Sequence, residues 1–278
     1  MDIKTSDVKA LREKTSAGMM ECKKALAETN GDAKAAEKLL KEKGLAAVEK
    51  RTSRATSEGR IFIAVKSDKA LLCEVTCETD FVAKNDDFIK IGNKIAEKAL
   101  AKGYTDVNDE LSGVLLDLAT RVRENMTLRR IRAINIPSGS VASKYVHTDG
   151  KIGVVVVLGV EPTEKAADTA ITEFAFDCCL HIAAYTPRYN TRNDVDSAYL
   201  AEQKEIFVKQ VADLDKPDKV KESIADGKLN KHFSDICFME QPFVKDDKVS
   251  VAKKMAEIGS KIGAKIALIN ATLFQLGV

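Results

Sequence analysis

The amino-acid sequence predicts an α+β protein, and three observations support that fold class. The first 45 residues show only helical spacing of apolar residues, whereas the spacing changes to every second residue from Gly59 onward. Two later blocks each contain a predicted β-hairpin followed by an amphipathic helix, which predicts a core of two similar α+β subdomains. Two charged helical stretches joined by a turn predict a projecting helical hairpin.

The N-terminal segment predicts three short helices. Ser6 can cap the first helix, and the second begins near Met19 and ends at the turn Asn30-Gly31. Asp32 can cap the third helix, which we expect to end at Gly44. Because these helices carry few large apolar residues, they predict a small bundle near the lower size limit for independent folding.

The segment after the three helices changes character. Residues 46–59 lack periodicity, carry both signs of charge and are rich in Ser and Thr, which predicts a linker with some helical content. Alternating apolar residues then predict a β-hairpin that turns at Ser67-Asp68. Two amphipathic helices follow, one containing Phe88 and one over residues 109–124.

The second block begins with a strand that ends at Pro137, followed by a hairpin that turns at Asp149-Gly150 and a helix over about 164–185. A proline at 217 separates the two charged helices, and a helix near 249–262 precedes a strand-like tail. The predicted domains are a three-helix domain over 1–45, a linker over 46–59, one subdomain over 60–138, and a second over 139–278 that contains the helical hairpin at about 192–232.

Composition excludes several classes of protein. The 44 basic and 42 acidic side chains leave a formal net charge of +2, which gives no reason to expect direct nucleic-acid binding. All six cysteines lie in apolar or helix-like stretches, which is typical of reduced thiols in the cytosol. The N-terminus has no targeting pattern, and the longest apolar run, at 153–160, is too short to span a bilayer. We therefore expect a cytoplasmic protein without membrane contact.

Signatures of catalysis and cofactor binding are absent from the sequence. It contains no phosphate-binding loop and no dinucleotide-binding fingerprint. Cys178, Cys179 and His181 fall on one predicted helix, where their side chains do not converge on a metal. Cys73 and Cys77 share a strand face but are too far apart for a disulfide. We expect no enzyme, no cofactor and no metal site.

One aromatic residue has an unexpected position. Phe81 lies in ETDFVAKND at 78–86, where a half-buried strand ends and charged residues begin. Large aromatic side chains usually pack in cores, so Phe81 could anchor the end of the hairpin. Alternatively, the chain presents it to a partner. The residues alone leave both possibilities open.

Several motifs resemble those of the bacterial elongation factor Ts family. LREKTSAGMMECKKAL at 11–26 resembles the N-terminal signature of that family, and EVTCETDFVAKND at 74–86 resembles its second signature. GKIGVVV at 150–156, HIAA followed by Pro187, and GKLNKHFSDICFMEQPFVKD at 227–246 are similar to further family segments and occur in the same order. The resemblance covers nearly the whole chain.

The resemblance implies both a fold and a function. The fold comprises an N-terminal ubiquitin-associated-like helical domain, two similar α+β subdomains and a protruding coiled-coil hairpin. The function is guanine nucleotide exchange, in which the protein binds the GTPase elongation factor Tu with GDP and accelerates GDP release. An alternative from another class is a ubiquitin-associated-like adaptor or scaffold protein without exchange activity.

The resemblance also implies which residues contact the GTPase. Phe81 would insert between helices of the GTPase, Asp80 would fix the loop or contact the GTPase beside it, and the region Thr79–Val82 would disturb the magnesium and phosphate site. The other implied contact residues are Arg12, Met19, Met20, Lys23, Ile152, Gly153, His181 and Val244.

Each implied contact has a structural alternative. Met19 and Met20 point about 100° apart on a helix, so we expect one of them to pack in the bundle. His181 lies on an apolar helix face, where a histidine is ordinarily a hydrogen-bonded core residue. Lys23 could be a solvated lysine, and Ile152 and Val244 could belong to the core.

The sequence departs from the family pattern at three places. Ser16 stands where a glycine is usual, and Lys245 stands where a hydrophobic residue is common. The tail NATLFQLGV also differs from the usual ending, so we expect no C-terminal helix that grips the GTPase.

Overall fold

The computed structural model of the chain describes residues 3–15, 17–147 and 149–278. Its helices and small sheets confirm the predicted α+β class. The chain divides into two compact units. The first comprises the described residues of Met1–Ala133, Thr148–Lys151 and Phe274–Val278, and the second comprises Ile134–His147 and Ile152–Leu273.

The first unit begins with the three predicted helices, α1 (Thr5–Thr15), α2 (Met19–Glu28) and α3 (Ala33–Glu49). Asp32 caps α3 as expected, because its carboxylate accepts hydrogen bonds from the N–H groups of Lys34 and Ala35. The helices share a small core of their own, formed by Val8, Leu11, Cys22, Ala25, Leu26 and Ala36.

Two predicted helix ends were wrong. Ser6 lies inside α1 and does not cap it, because the Lys4 carbonyl already accepts a hydrogen bond from the Val8 N–H. Gly44 does not end α3, which continues for five residues to Glu49. A Cβ added to Gly44 would lie 2.2 Å from Cγ2 of Thr120, so this glycine allows α3 to pack closely against the helix that carries Thr120. The predicted departure at Ser16 lies outside the described residues.

The sheet of the first unit contains β1 (Glu58–Val65), β2 (Lys69–Cys77) and β3 (Met126–Asn135), in the order β1-β2-β3. The first two strands form the predicted antiparallel hairpin. Helix α4 (Asp80–Ala83) is a single turn, α5 (Asp86–Lys102) packs on the hairpin, and α6 (Asp109–Val122) packs against α5. Phe62, Leu71, Val75, Phe88, Ile95, Leu111, Leu115 and Leu118 are prominent members of the core beneath these elements.

The second unit repeats this arrangement. Strands β4 (Ser140–Val146) and β5 (Ile152–Glu161) form an antiparallel hairpin, and α7 (Thr169–Tyr185) packs on it. A third strand, β8 (Lys265–Gln275), lies beside β5 just as β3 lies beside β2. The shared order of hairpin, helix and third strand confirms that the two blocks are similar.

A helical hairpin and a small β-α module separate α7 from β8. Helices α8 (Ser197–Ala212) and α9 (Asp218–Ile236) meet at the predicted turn around Pro217. They run antiparallel, since Tyr199 bonds to His232 near the base and Gln210 bonds to Lys228 nearer the turn. After them come β6 (Pro242–Phe243), β7 (Asp246–Ser250) and α10 (Val251–Ile262).

The cysteines behave as small core residues. All six are buried and free of disulfides. Burial raises the pKa of the Cys73, Cys77 and Cys179 thiols to about 12, so these side chains stay protonated at neutral pH. Within the described ranges, no helix is both long enough and apolar enough to cross a lipid bilayer.

Candidate partner-contact site

The turn between β2 and α5 is built by two successive helix caps. The Thr79 hydroxyl accepts a hydrogen bond from the Val82 N–H and begins the single turn α4. The Asn85 side chain then accepts a hydrogen bond of 2.8 Å from the Asp87 N–H and begins α5. The chain thereby changes from strand to helix within a few residues, and Phe81 lies in the middle of this segment.

Phe81 is 83% exposed, whereas the two residues that follow it are buried in the core of the first unit. Consecutive side chains on a helical turn point about 100° apart, so burying Val82 and Ala83 directs Phe81 outward. Of the two possibilities that the sequence left open, the structure excludes packing in the core, because the Phe81 ring is exposed. Leaving a phenylalanine exposed forgoes about 1.5–3 kcal/mol of burial free energy.

The turn is held from behind by the carboxylate of Glu124. Its Oε2 atom accepts hydrogen bonds from the backbone N–H groups of Glu78 (3.2 Å) and Thr79 (3.0 Å), and its Oε1 atom accepts one from the Thr79 hydroxyl (2.6 Å). In return, Oε1 of Glu78 accepts a hydrogen bond of 2.6 Å from the Asn125 N–H. Each of the two acidic side chains thus accepts hydrogen bonds from backbone N–H groups in the other's segment.

Asp80 is held within the same turn. Nζ of Lys84 lies 2.7 Å from its Oδ2 atom, one helical turn further on. This hydrogen bond lowers the pKa of the Asp80 carboxyl below its ordinary value, so the group is charged at neutral pH. The negative charge is next to the exposed ring of Phe81, and the geometry suits the expected role of Asp80 in fixing the loop.

The N-terminal helices contribute a second exposed surface. Arg12, Met20 and Lys23 are exposed, and Met20 is the most exposed large apolar residue of these helices, at 65%. Met19 instead packs against the bundle core. The expectation that one of the two methionines packs and the other is exposed is therefore confirmed.

His181 is fully buried in the second unit. Its Nδ1 atom lies 3.2 Å from the backbone N–H of Val244, which can only donate, so Nδ1 is the acceptor. The proton is consequently on Nε2, which donates to Oε1 of Gln241 at 2.9 Å. Burial lowers the pKa of His181, and the neutral ring packs among Tyr185 and Phe238.

Comparisons with known proteins match the chain to the family that its signature segments resemble. The family model described as elongation factor TS matches residues 78–278. The chain is 58% identical to elongation factor Ts of Treponema denticola over its whole length, covering 99% of that protein. It is 51% identical to elongation factor Ts of Treponema pallidum and 37% identical to that of Borrelia duttonii, in each case with both chains covered completely.

The chain belongs to the elongation factor Ts family. Membership makes it a translation elongation factor and confirms the resemblance found in the signature segments. The family model covers the exposed turn at Phe81, the second unit and the helical hairpin.

One implied contact of the elongation factor Ts family does not fit this conformation. In this conformation the side chain of His181 has no exposed surface, and both ring nitrogens are hydrogen-bonded within the chain. It is the hydrogen-bonded core histidine that ordinary packing predicts. Tyr185, one turn later on α7, packs against the His181 ring at a centroid distance of 4.8 Å, with the two rings tilted by 31°, and is 54% exposed.

The other implied positions lie at the edge of the core of the second unit. Ile152 and Val244 are half-buried against that core, and Gly153 is buried opposite Val146 in the β4–β5 register. Lys245, which departs from the family pattern, forms an ion pair of 2.6 Å with Asp177 of α7. A charged pair therefore occupies the place where a hydrophobic residue is common.

The residues of the tail NATLFQLGV pack on their own chain. The Arg130 guanidinium lies 4.1 Å from the centre of the Phe274 ring, and the Gly277 N–H donates to Oε1 of buried Glu74 at 2.9 Å. Glu74 is also paired with Arg129 and Arg130. As expected, the tail forms strand and turn and no helix.

Sequence reasoning missed the residues that hold the site in place. Glu124 and Asn125 follow α6, where they looked like ordinary helix-end residues, and Tyr185 lay outside the recognised motif. The four-residue spacing of His181 and Tyr185 on one helix face was a usable signal. No group of three or more His, Cys, Asp or Glu residues that could hold a metal is found among the described residues.

Proposed function

We propose that the chain is a guanine nucleotide exchange factor that binds elongation factor Tu in its GDP state and accelerates GDP release in the cytoplasm. It acts by binding alone, without covalent chemistry or a cofactor. The observation that carries the proposal is the exposed Phe81 ring, which stands on a turn whose other side chains are buried or hydrogen-bonded.

The physical basis of exchange is thermodynamic linkage. A partner that binds the nucleotide-free GTPase more tightly than the GDP form must weaken GDP binding by the same factor. The GTPase holds GDP through backbone N–H groups around the phosphates and through Mg²⁺. An exchange factor therefore needs an element that binds only when this phosphate and magnesium site is disturbed.

The turn Thr79–Val82 has the properties of such an element. Burying the Phe81 ring in an apolar gap of the GTPase supplies about 1.5–3 kcal/mol, which can offset part of the cost of separating the helices around it. Because the turn is already ordered in the free protein, little conformational entropy is lost on insertion. The charged Asp80–Lys84 pair at its side remains available for the polar rim of the interface.

The remaining contacts would be spread over two surfaces. The exposed side chains of Arg12, Met20 and Lys23 support a contact of the ubiquitin-associated-like domain with the GTPase. The half-buried Ile152 and Val244, with the buried Gly153 next to Ile152 in the chain, support a contact near the second sheet. The division of the chain into a helical domain and two subdomains is part of the same proposal.

Stopped-flow fluorescence of a labelled GDP bound to elongation factor Tu tests the proposal. The full-length protein is mixed with the complex in the presence of excess unlabelled GDP, and the release rate is recorded at increasing protein concentration. We expect the rate to rise and saturate. A release rate that stays at its spontaneous value, together with measurable binding, would establish the adaptor alternative.

A further inference from the structure

The Glu124 carboxylate accepts three hydrogen bonds from Glu78 and Thr79, the two residues that precede Asp80 and Phe81. We infer that Glu124 is a positioning residue for nucleotide exchange: it holds the Phe81 turn in the orientation that the GTPase binds, without touching the GTPase. The inference rests on the proposed exchange function. It assigns to Glu124 a role that the family signature at 74–86 does not contain.

The chemistry of the three bonds explains why a carboxylate is required. A carboxylate only accepts hydrogen bonds, and here it meets three donors: the N–H groups of Glu78 and Thr79 and the Thr79 hydroxyl. The hydroxyl has a single proton. Because that proton points to Glu124, the oxygen lone pairs of Thr79 face the other way and accept from the Val82 N–H, which begins α4. Glu124 therefore sets the direction of the helix cap.

The short helix depends on this support. A single helical turn is not stable alone, because nucleating a helix fixes several residues for one hydrogen bond. Val82 and Ala83 anchor the far side of the turn in the core. The near side is anchored by Glu124 and by the reciprocal bond from the Asn125 N–H to Glu78. Loss of the Glu124 carboxylate leaves two backbone N–H groups and the proton of the Thr79 hydroxyl without this acceptor.

The hydrogen bonds behind the turn extend to the segment that follows α3. Nδ2 of buried Asn125 donates to the carbonyl oxygens of Thr52 (3.3 Å) and Arg54 (2.7 Å). The Arg54 guanidinium in turn lies 3.5 Å from the Glu78 carboxylate. These bonds join the exposed turn to the segment 124–125 and, through it, to the segment 52–54 of the first unit, and this gives the turn a rigid base.

A positioning role and a purely structural role predict different kinetics. If Glu124→Ala lets α4 adopt several orientations, only a fraction of molecules is ready to bind, and the apparent affinity falls by that fraction. Phe81 is still present, so the release rate at saturating protein is retained. A purely structural role lowers the unfolding temperature but does not change either kinetic parameter well below that temperature.

The experiment is the stopped-flow titration of GDP release with full-length Glu124→Ala. We expect the half-saturating concentration to rise about tenfold, as for a competent fraction near one tenth, with the maximal rate within about twofold of wild type. An unchanged half-saturating concentration overturns the inference. If the wild-type protein itself does not stimulate release, the proposed function fails, which is a separate result.

Substitutions of Thr79, whose hydroxyl donates to Glu124, keep the inference testable if Glu124→Ala folds poorly. Thr79→Val removes the hydroxyl at nearly constant volume and should raise the half-saturating concentration, whereas Thr79→Ser should restore it. Glu110→Ala is the matched control, because Glu110 is a hydrogen-bonded carboxylate at the start of α6 that does not bond to the turn. An equal effect of Glu110→Ala, or no rescue by Thr79→Ser, overturns the inference.

Amide hydrogen exchange gives a direct structural readout on the same variants. The Thr79 N–H is bonded to Glu124 in the wild-type protein, so its protection should fall in Glu124→Ala and remain in Glu110→Ala. Unchanged protection at Thr79 in Glu124→Ala would mean that the carboxylate does not hold the turn, and the inference would be wrong.

Discussion

The two hairpin-and-helix regions of the chain treat a ring at an implied contact position in opposite ways. In the first region, apolar Phe81 is 83% exposed, and in the second region, polar His181 is completely buried. In each region a side chain accepts a hydrogen bond from a backbone N–H group. Glu124 accepts from Thr79, two residues before Phe81, and His181 accepts from Val244. The difference is that a separate residue, Glu124, accepts this hydrogen bond in the first region, whereas the ring of His181 accepts it in the second.

This comparison shows how hydrogen bonding decides which ring is presented. The two nitrogens of His181 find partners in Gln241 and Val244, so burying the ring leaves no polar atom unpaired. Phe81 needs no partner and would gain free energy by packing inward, but the capped turn and the buried Val82 hold it outside. The first region is therefore built to present a side chain, and the second is built to stabilise its own loop.

Of the two rings compared, His181 is expected to have the larger effect on stability, in the variant His181→Ala. This change leaves a cavity and removes the partners of the Val244 N–H and the Gln241 carbonyl, so the free energy of unfolding should fall by about 2–4 kcal/mol. Urea denaturation followed by circular dichroism measures it. His147→Ala, which alters an exposed ring at the end of β4, is the control and should stay within about 0.5 kcal/mol of wild type. Equal effects of the two variants would contradict the buried role of His181.

The next effect is a dependence of stability on pH. Because burial lowers the pKa of His181, the unfolded chain, whose histidine has its ordinary pKa of 6.5, takes up a proton that the folded chain does not. Stability is full above about pH 7 and falls as the pH drops through 6.5, by at most about 1.4 kcal/mol per unit from this group.

Urea midpoints between pH 7.5 and pH 5 on wild type and His181→Gln measure this contribution. The slope between the two limits should be smaller in His181→Gln than in wild type. If both proteins lose stability in parallel, the pH dependence arises from other groups and the comparison needs no buried histidine.

A smaller effect is expected for Tyr185→Ala. Tyr185 covers the His181 ring but is itself 54% exposed, so we expect stability to fall by less than about 1 kcal/mol. Tyr185 is the most exposed aromatic ring of α7, ahead of Phe176 at 42%. If this part of the second region contacts elongation factor Tu, isothermal titration should show weaker binding by about two- to tenfold, which corresponds to about 0.4–1.4 kcal/mol. Unchanged affinity would exclude Tyr185 from the contact.

The sequence predicted those parts of the fold that depend on local patterns. Alternating residues at 61–77 predicted the first hairpin, and Asp32 and Pro217 marked a helix start and a helical turn that the structure confirms. Gly44 misled the prediction, because its role is set by Thr120, which is distant in the sequence. A glycine that allows close packing looks the same in the sequence as one that ends a helix.

The candidate site was predictable only in part. The position of Phe81 at the end of a strand raised the question of its exposure, but its outward direction follows from the burial of Val82 and Ala83 in a core built from distant residues. The turn is also hydrogen-bonded to Glu124, 45 residues from Thr79. Likewise, the burial of His181 depends on Gln241 and Val244, which lie 60 and 63 residues away. Such long-range hydrogen bonds leave no periodic pattern in the sequence.

The central claim is that Phe81 serves the partner and not the core, and a matched pair of variants tests it most directly. Phe88, on α5 and two residues after the signature segment at 74–86, is fully buried. Phe88→Ala should cost about 3–5 kcal/mol of stability, whereas Phe81→Ala should cost less than about 0.5 kcal/mol. In the GDP-release assay, Phe81→Ala should lower the maximal stimulated rate at least about tenfold, equivalent to about 1.4 kcal/mol. A stable Phe81→Ala protein that releases GDP at the wild-type rate would contradict the account.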